Sequence, residues 1–533
     1  MRTVGSAMHQ RAWHRATLSL LILSITGYAV AACTKLANVQ CEDDSNCNLG
    51  GGGVCAPAAS GNRWCAYPDP QCQSGYRYST QAVGDDVSGV CVATEINPGI
   101  PSIADWESRF GGPGNDQGLA IAVARNGDVV VAGTFTKTLT LGGPAITSAA
   151  DSQDVYVARY TADGHYLWSV SLGGTDTDYL HGIATDSNGD VYVTGSFAGP
   201  VNFGGGTRAI PQGAFLVKLA ATSGVYKWDI SLPSTDSYAV ALLSSDTVVV
   251  SGTFSGTVDF GGGNRTAMGD EDTFLAAYTT GGAHIWSNAL STSGGFPARE
   301  WGHIAPIDED ILVTAGYAGT ATLDQGVFSS YGTEDALVAR YRGANGAQVW
   351  AKSLTQSGSQ IDGLSPSSIA SDGKRVIVSG IFSGTKNVGG RDMVATGRGD
   401  AFVVSMDASD GTYMWSQRFG GTAVTDAASL SASSSRLAMA LEFSSETIVI
   451  GTQSYTAAAN DTDTAIVKLN PSTGVPILTS LFGSPAPDNM ALVYGSDRLL
   501  GVGTFGKSVD LFGTTLTSSS ESDLDIALFR VDF

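Results

Sequence analysis

Acidic side chains recur at one position of a repeated sequence unit, just before the first apolar run of each unit. Carboxylate oxygens suit Ca²⁺, and like charges held close together raise one another's pKa unless a cation relieves them. If the units surround one axis, the acids would ring one mouth of a central channel. The alternative is that each acid accepts backbone N–H groups in its own turn, and repetition in every unit favours that structural role. We therefore expect no required cofactor, with Ca²⁺ as the open alternative. The acids are Asp116, Asp178, Asp236, Glu300, Asp362, Asp426 and Asp488.

The fourth unit departs from the repeat and brings several functional side chains together. Glu300, Trp301 and His303 lie within four residues, and His181 occupies the place of His303 in the second unit. An aromatic ring beside charged groups suits stacking on a sugar ring or a peptide side chain. The alternative is that Trp301 fills the channel as packing. Two histidines separated by a whole unit make a poor metal set. We therefore predict these four residues as ligand-binding and name no catalytic residue, because the chain has no serine elbow, zinc motif, phosphate loop or dinucleotide fingerprint.

A second acid opens the third apolar run of most units. Aspartate at the start of a strand commonly accepts hydrogen bonds within its own turn, so we predict a turn role for these residues. They are Asp154, Asp272, Asp335, Asp400, Asp463 and Asp525, with Gly213 in the second unit.

Six cysteines precede the repeats in a segment that has few aliphatic residues. An even number of cysteines in an exported segment without a core predicts three disulfides, whose pairing stays open. A zinc site is the weaker alternative, because the spacings lack a Cys-x-x-Cys pair. The predicted half-cystines are Cys41, Cys47, Cys55, Cys65, Cys72 and Cys91.

The seventh cysteine, Cys33, follows a targeting segment. Arginines precede an apolar run from Leu18 to Val30, and small residues lead directly into Cys33. Residues 1–32 thus read as a secretory signal peptide. Val30-Ala-Ala-Cys33 resembles the lipobox of bacterial lipoproteins, which implies that Cys33 carries acyl chains and anchors the protein to a membrane. By the same resemblance, Thr34 lacks the aspartate of inner-membrane retention, which implies the outer membrane or cell surface of a Gram-negative bacterium.

The charge balance excludes one class of partner. The formal net charge is −21 at pH 7, and removal of residues 1–32, which contain three arginines and no acid, makes it more negative. Such a surface repels nucleic acid.

The remainder of the chain repeats itself at intervals of about 60 residues, which is the signature of a repeat architecture. Each unit has four short alternating runs separated by Gly, Asn and Asp, as expected of four half-buried strands. Four-stranded units repeated seven times predict an all-β, seven-bladed β-propeller over residues 104–533, behind a cysteine-rich segment at 33–91 and a linker at 92–103. We expect the propeller to be monomeric. The repeated tryptophans are Trp106, Trp168, Trp228, Trp286, Trp350 and Trp415, with Leu478 in the seventh place.

These units resemble the bacterial seven-bladed propeller repeat family (SBBP repeats). The matching elements are the tryptophan strand followed by Gly-Gly, the Asn188-to-Phe197 run and the Ala214-to-Leu219 strand. The fourth and sixth units depart from the pattern at Gly316-Tyr317 and at Ala440. Because the first tryptophan strand has no partner before it, we predict that it pairs with the last strand and closes the ring.

The resemblance implies a scaffold and leaves the function open. The favoured hypothesis is a surface module that binds protein or glycan, with recognition in long loops between the second and third strands. The alternatives are a hydrolase or lyase acting on polysaccharide or peptide at the channel mouth, and a purely structural envelope protein.

Overall fold

The chain divides into two compact units, Met1–Ala104 and Asp105–Phe533. The computed structural model describes residues 54–57, 63–68, 76–78 and 106–532. Within the last range, residues 234, 269, 293–301, 359–361, 423, 445–446, 458–461, 484–488, 496–497 and 520–522 are not described.

The first unit contains a three-stranded antiparallel sheet of Val54–Pro57, Arg63–Pro68 and Tyr76–Tyr78. Cys65 is disulfide-bonded. The backbone of Cys55 lies opposite that of Cys65 across the sheet, and the side chain of Cys55 is not described. The three-disulfide count therefore stays a prediction. The signal peptide at 1–32, the linker at 92–103, Cys33, Cys41, Cys47, Cys72 and Cys91 lie outside the described residues.

The second unit is built from four-stranded antiparallel sheets, which we number as blades 1 to 7 in the order of their innermost strands. Short alternating runs bounded by Gly and Asp favour such strands. Innermost strands of neighbouring blades contact one another in turn, and that of blade 7 contacts that of blade 1, so the ring closes. The prediction of an all-β propeller is confirmed. The other sheets of the described residues have two or three strands.

Each blade runs from the axis outward through four strands. The innermost strands are Asp116–Val123, Asp178–Thr185, Thr235–Leu242, His303–Ile307, Leu364–Ser371, Thr425–Ser433 and Asn489–Tyr494. The second strands are Val129–Thr136, Val191–Ala198, Val248–Phe254, Asp310–Tyr317, Arg375–Phe382, Arg436–Ser444 and Leu499–Gly506. The third strands are Gln153–Tyr160, Gln212–Leu219, Asp272–Tyr278, Asp335–Arg342, Asp400–Asp407, Thr462–Leu469 and Leu524–Val531. The outermost strands are Tyr166–Gly174, Tyr226–Pro233, His284–Thr292, Gln348–Ser353, Tyr413–Gly421, Pro476–Phe482 and Trp106–Phe110.

The last of these outermost strands closes the ring. Trp106 pairs with Arg530 and Phe110 with Ile526, so the first tryptophan strand completes the blade that holds the last strand of the chain. This confirms the predicted closure. The third strand of blade 7 is therefore paired on both sides and offers no free edge to a strand of another chain.

The long loops between second and third strands are themselves structured. In blades 2, 4 and 6 the hairpin formed by this loop pairs with the outermost strand of the preceding blade. These hairpins satisfy backbone groups of the neighbouring sheet, and recognition in these loops stays a prediction. The hairpins are Thr138–Leu139 with Ile146–Thr147, Val201–Asn202 with Thr207–Arg208, Thr257–Asp259 with Asn264–Thr266, Thr320–Leu323 with Gly326–Ser329, Thr385–Val388 with Arg391–Val394, Thr447–Ile450 with Gln453–Thr456, and Ser508–Leu511 with Thr514–Thr517. A strand at Thr355–Gly358 and a 3₁₀ turn at Ala149–Asp151 complete the set.

Candidate functional site

A cavity of about 350 Å³ opens at one mouth of the propeller, between blades 2 and 3. It lies where innermost strands begin and second strands end, so both blades contribute side chains. The lining is largely polar and includes one half-exposed aromatic ring, that of Tyr179. The lining residues are Thr177, Tyr179, Ser196, Phe197, Ala198, Gln212, Gly213, Thr235, Asp236, Ser255 and Glu271.

A bulge in the innermost strand shapes the blade 2 wall of this cavity. The register with the second strand shifts between Leu180 and Gly182, which leaves His181 as the extra residue. A side chain added at Gly195 would lie 1.9 Å from the carbonyl oxygen of Tyr179, so only glycine permits this close approach. Tyr179 and His181 are two residues apart and therefore lie on the same face of the strand, which explains why both are exposed.

His181 links the two blades. Its Nε2 lies 3.1 Å from Ser196 Oγ, and its ring contacts the ring of Tyr238 in blade 3, with centroids 5.5 Å apart. Although part of the His181 side chain is exposed, the surrounding protein partly desolvates the ring and lowers its pKa, and the Asp236 carboxylate opposes that shift. The lowered pKa favours the neutral imidazole, which can donate one hydrogen bond and accept one.

Blade 3 supplies two carboxylates. Thr253 Oγ1 donates to Glu271 Oε1 at 2.5 Å, which orients that carboxylate at the cavity wall. Burial raises the pKa of Tyr238 to about 12, and repulsion from Asp236 adds to the rise. Tyr238 is thus a neutral hydroxyl beside two acids. An exposed ring, hydroxyls and two acceptors suit a ligand rich in O–H or N–H donors with one apolar face.

The predicted ring of seven carboxylates does not form among the described acids. Asp116 and Asp178 lie opposite Phe135 and Phe197, whereas Asp236 lies one position later, opposite Thr253. Because side chains alternate between the two faces of a strand, one step of register points an acid to the other face. Asp426 shares the position of Asp236, opposite Glu442.

Asp116 and Asp178 are buried turn acceptors. Asp116 Oδ2 accepts from Gly112 N at 2.6 Å, and Asp178 Oδ2 accepts from Gly174 N at 2.8 Å. Burial raises the pKa of Asp116 to about 8 and that of Asp178 to about 7, against the opposing effect of those backbone bonds. These contacts support the structural interpretation over a shared Ca²⁺ ring.

Three acids of the set before the innermost strands remain, and only Asp362 lies within the described residues. Asp362 Oδ2 accepts from Thr385 N at 2.9 Å, and it precedes its innermost strand by two residues. Glu300, Trp301 and Asp488 lie outside the described residues. No group of three or more His, Cys, Asp or Glu side chains that could hold a metal occurs in the part of the chain that the structure describes.

His303 begins the innermost strand of blade 4, opposite Thr314. Burial lowers the pKa of His303 to about 4, so its ring is neutral at physiological pH. The whole of blade 3 separates the strand of His303 from the strand of His181. The predicted group of Glu300, Trp301, His303 and His181 therefore stays a prediction.

Turn acids at the third strands behave as predicted. Asp272, Asp400 and Asp525 accept backbone N–H groups of Met268, Thr396 and Ser519 at 2.8, 2.9 and 2.7 Å. Sequence reasoning missed Tyr179 and Glu271 as cavity residues. No signal within the repeat marked them, because the residue after the first repeated acid differs in every unit and Glu271 has a counterpart in Glu334.

The sequence comparisons agree with a propeller. Residues 167–196 match the family described as Beta-propeller repeat, and residues 253–493 match the family described as Outer membrane protein assembly factor BamB. With the closed ring of four-stranded blades, these matches define the chain as a β-propeller protein.

Curated relatives match only in part. An uncharacterized WD repeat-containing protein of Acanthamoeba polyphaga mimivirus is 24% identical over 266 residues, which is 41% of this chain and 19% of that protein. The regulatory protein FlaEY of Caulobacter vibrioides is 34% identical over 93 residues, 17% of this chain and 10% of that protein. The chain thus spans a fifth or less of the length of these relatives.

Two solved structures are similar at low identity. BamB from Moraxella catarrhalis is 12% identical with a TM-score of 0.38, over 80% of this chain and all of that one. Quinohemoprotein alcohol dehydrogenase from Comamonas testosteroni is 10% identical with a TM-score of 0.36, over 80% of this chain and 76% of that one.

Among the described residues, no helix has the length and apolar character needed to span a membrane.

Proposed function

We propose that this chain is a lipid-anchored envelope protein whose propeller binds a protein or glycan partner in the cavity between blades 2 and 3. The observation that carries the proposal is the cavity itself, where Tyr179 offers an apolar face and Asp236 and Glu271 offer acceptors. Rigid scaffolds recognise ligands at such concave, partly aromatic sites.

Two further observations support a location in the cell envelope. Val30-Ala-Ala-Cys33 resembles a lipobox, and the disulfide bond at Cys65 is typical of proteins in oxidising compartments. The match to the family described as Outer membrane protein assembly factor BamB supports both a location in the cell envelope and a role in binding other proteins.

Anchoring is tested by Cys33→Ser in the native host. We expect the wild type to fractionate with membranes and to incorporate labelled fatty acid, and the variant to be released. A variant that stays with the membrane fraction would contradict the anchor.

Ligand binding is tested with the purified full chain on a glycan array and against envelope proteins. Tyr179→Ala combined with Asp236→Asn should weaken binding at least tenfold without lowering the melting temperature. The matched control is Tyr331→Ala, which removes another half-exposed ring from blade 4. Equal loss in both variants, or unchanged binding in the first, would place the ligand elsewhere.

A second candidate function is hydrolysis at the same mouth, and one observation favours it. Asp426 and Glu442 are cross-strand neighbours in blade 6, and Ser367 Oγ donates to Asp426 at 2.8 Å. Burial and then repulsion from Asp426 raise the pKa of Glu442 to about 7. A carboxylic acid beside a carboxylate can act in general acid–base chemistry. Loss of polysaccharide or peptide cleavage in Glu442→Gln would support this candidate, and absence of cleavage by the wild type would dismiss it.

A further inference from the structure

The junction between blades 1 and 2 buries two carboxyl groups side by side. Asp154 opens the third strand of blade 1 and is 2% exposed, and Asp178 opens the innermost strand of blade 2 and is 1% exposed. A carbon added at Gly173 would lie 2.7 Å from Asp154 Oδ1 and 2.7 Å from Asp178 Oδ2, so both groups face the same point. Asp178 Oδ1 is buried and has no hydrogen-bond partner.

Other junctions of this propeller place a cation beside the same third-strand acid. At the junction of blades 7 and 1, Arg109 Nη2 lies 2.6 Å from Asp525 Oδ2. At the junction of blades 5 and 6, Arg418 pairs with Asp400.

At one junction the cation comes from the hairpin between the second and third strands instead of the outermost strand. At the junction of blades 4 and 5, Lys386 Nζ lies 2.7 Å from Asp335 Oδ1, and both side chains are fully buried. At the junction of blades 2 and 3, Gly213 and Thr235 stand at the two acid positions, so no charge is buried. Among the junctions described on both sides, the blade 1–2 junction alone holds two acids and no cation.

One residue explains the difference. Ser171 occupies the position of Arg109 and Arg418, because each lies opposite the residue two places after its third-strand acid. Serine supplies a neutral oxygen where the other two junctions supply a guanidinium. Among the described residues, backbone N–H groups of Ala149 and Gly174 donate to the acid pair, and no cationic side chain compensates its negative charge.

Neutral oxygens surround the pair. Ser152 Oγ lies 3.1 Å from Asp154 Oδ1 and 3.1 Å from the Gly174 carbonyl oxygen, and Ser171 Oγ lies 3.3 Å from Asp154 Oδ2. Both hydroxyls donate hydrogen bonds here, and Ala149 N donates a further one to Asp154 Oδ2 at 2.9 Å. Carboxylate, hydroxyl and carbonyl oxygens are also ligands that Ca²⁺ accepts.

We propose that Asp154 and Asp178, with the oxygens of Ser152, Ser171 and Gly174, bind one Ca²⁺ ion in the place that arginine or lysine takes at other junctions. Thr177 and Tyr179 flank Asp178 and line the cavity of blades 2 and 3, so the ion also fixes one wall of that cavity. The metal site does not depend on the proposed ligand.

The test is thermal unfolding of the purified full chain at pH 8 in physiological salt, after chelation and after addition of millimolar Ca²⁺. Ca²⁺ should raise the melting temperature by several degrees, and calorimetric titration should find one site. Mg²⁺ serves as the control for nonspecific binding to an acidic surface, because it demands tighter octahedral geometry.

Two substitutions locate the ion. Ser171→Arg should abolish the response to Ca²⁺ while the chelated variant melts at or above the chelated wild type. Arg109→Ser should create the same uncompensated pair from Asp525 and Asp116, and raise the number of Ca²⁺ sites to two. Asp154→Asn should also abolish the response to Ca²⁺, and this variant replaces Ser171→Arg in the test if Ser171→Arg does not fold.

Three results would overturn the proposal. The first is an equal response to Ca²⁺ and Mg²⁺. The second is a Ca²⁺ response that survives both Ser171→Arg and Asp154→Asn. The third is the absence of any Ca²⁺ response. The two carboxyl groups would then share a proton, and stability should fall as pH rises through about 7, because burial raises the pKa of Asp178 to about 7.

Discussion

The indole Nε1 of Trp168 donates a hydrogen bond to the carbonyl oxygen of Ala221, 2.9 Å away in the next blade. That carbonyl belongs to the turn between the third and outermost strands of blade 2. Blade 7 has no such turn, because its third and outermost strands come from distant parts of the chain. Leu478 of blade 6, which faces that junction, is therefore the one repeat position without tryptophan. The equivalent donor–acceptor pairs are Trp106–Ala162, Trp228–Thr280, Trp286–Gly343, Trp350–Ala408 and Trp415–Pro471.

Trp168→Phe should destabilise the propeller by about 0.5–1.5 kcal/mol, because it removes one of two hydrogen bonds to the Ala221 carbonyl oxygen, which also accepts from Arg159 Nη1 at 3.1 Å. Trp168→Ala should cost about 3–5 kcal/mol through the added cavity. Urea unfolding measures both. Leu478→Trp is the matched control and should give no comparable gain, since no turn carbonyl faces it.

Ring closure depends on the pairing of Trp106–Phe110 with Leu524–Val531. Glu107→Pro combined with Ser108→Pro should lower the melting temperature and promote aggregation, because proline removes ladder donors and bares a strand edge. The paired control is Glu107→Ala with Ser108→Ala. If both double variants melt alike, the closing strand contributes little.

Lys386 and Asp335 form a fully buried ion pair. Lys386→Met should cost about 3–5 kcal/mol, because it leaves an uncompensated buried carboxylate. Adding Asp335→Asn should recover much of that loss. Chemical denaturation of the two variants measures the coupling, and additive losses would show that the pair does not interact.

The acid pair of blade 6 makes stability depend on pH. Burial and repulsion from Asp426 raise the folded-state pKa of Glu442 to about 7, above its value in the unfolded chain. The folded protein then binds more protons than the unfolded one, so this contribution is present at low pH and is lost as pH rises toward 7 and above. Glu442→Gln should flatten that decline between about pH 5 and pH 8. A variant with an unchanged pH profile would contradict the assignment.

The amino-acid sequence by itself determined the propeller, its repeating strands and its closure. The tryptophan strands, the Gly-Gly steps and the turn aspartates are local signals, and Trp106 with its unpaired strand already required a partner at the other end of the chain. The close approach at Gly195 also follows from the residue type alone.

Only the tertiary structure decided which side chains meet. The acids Asp178 and Asp236 occupy similar places in the repeat, yet one is buried in a turn and the other lines a cavity. A single step of register separates them, and because strand side chains alternate with a period of two, that step reverses the face. The cavity and the Asp154–Asp178 pair each combine two blades. Their distances depend on how neighbouring sheets pack, which no pattern within one repeat contains.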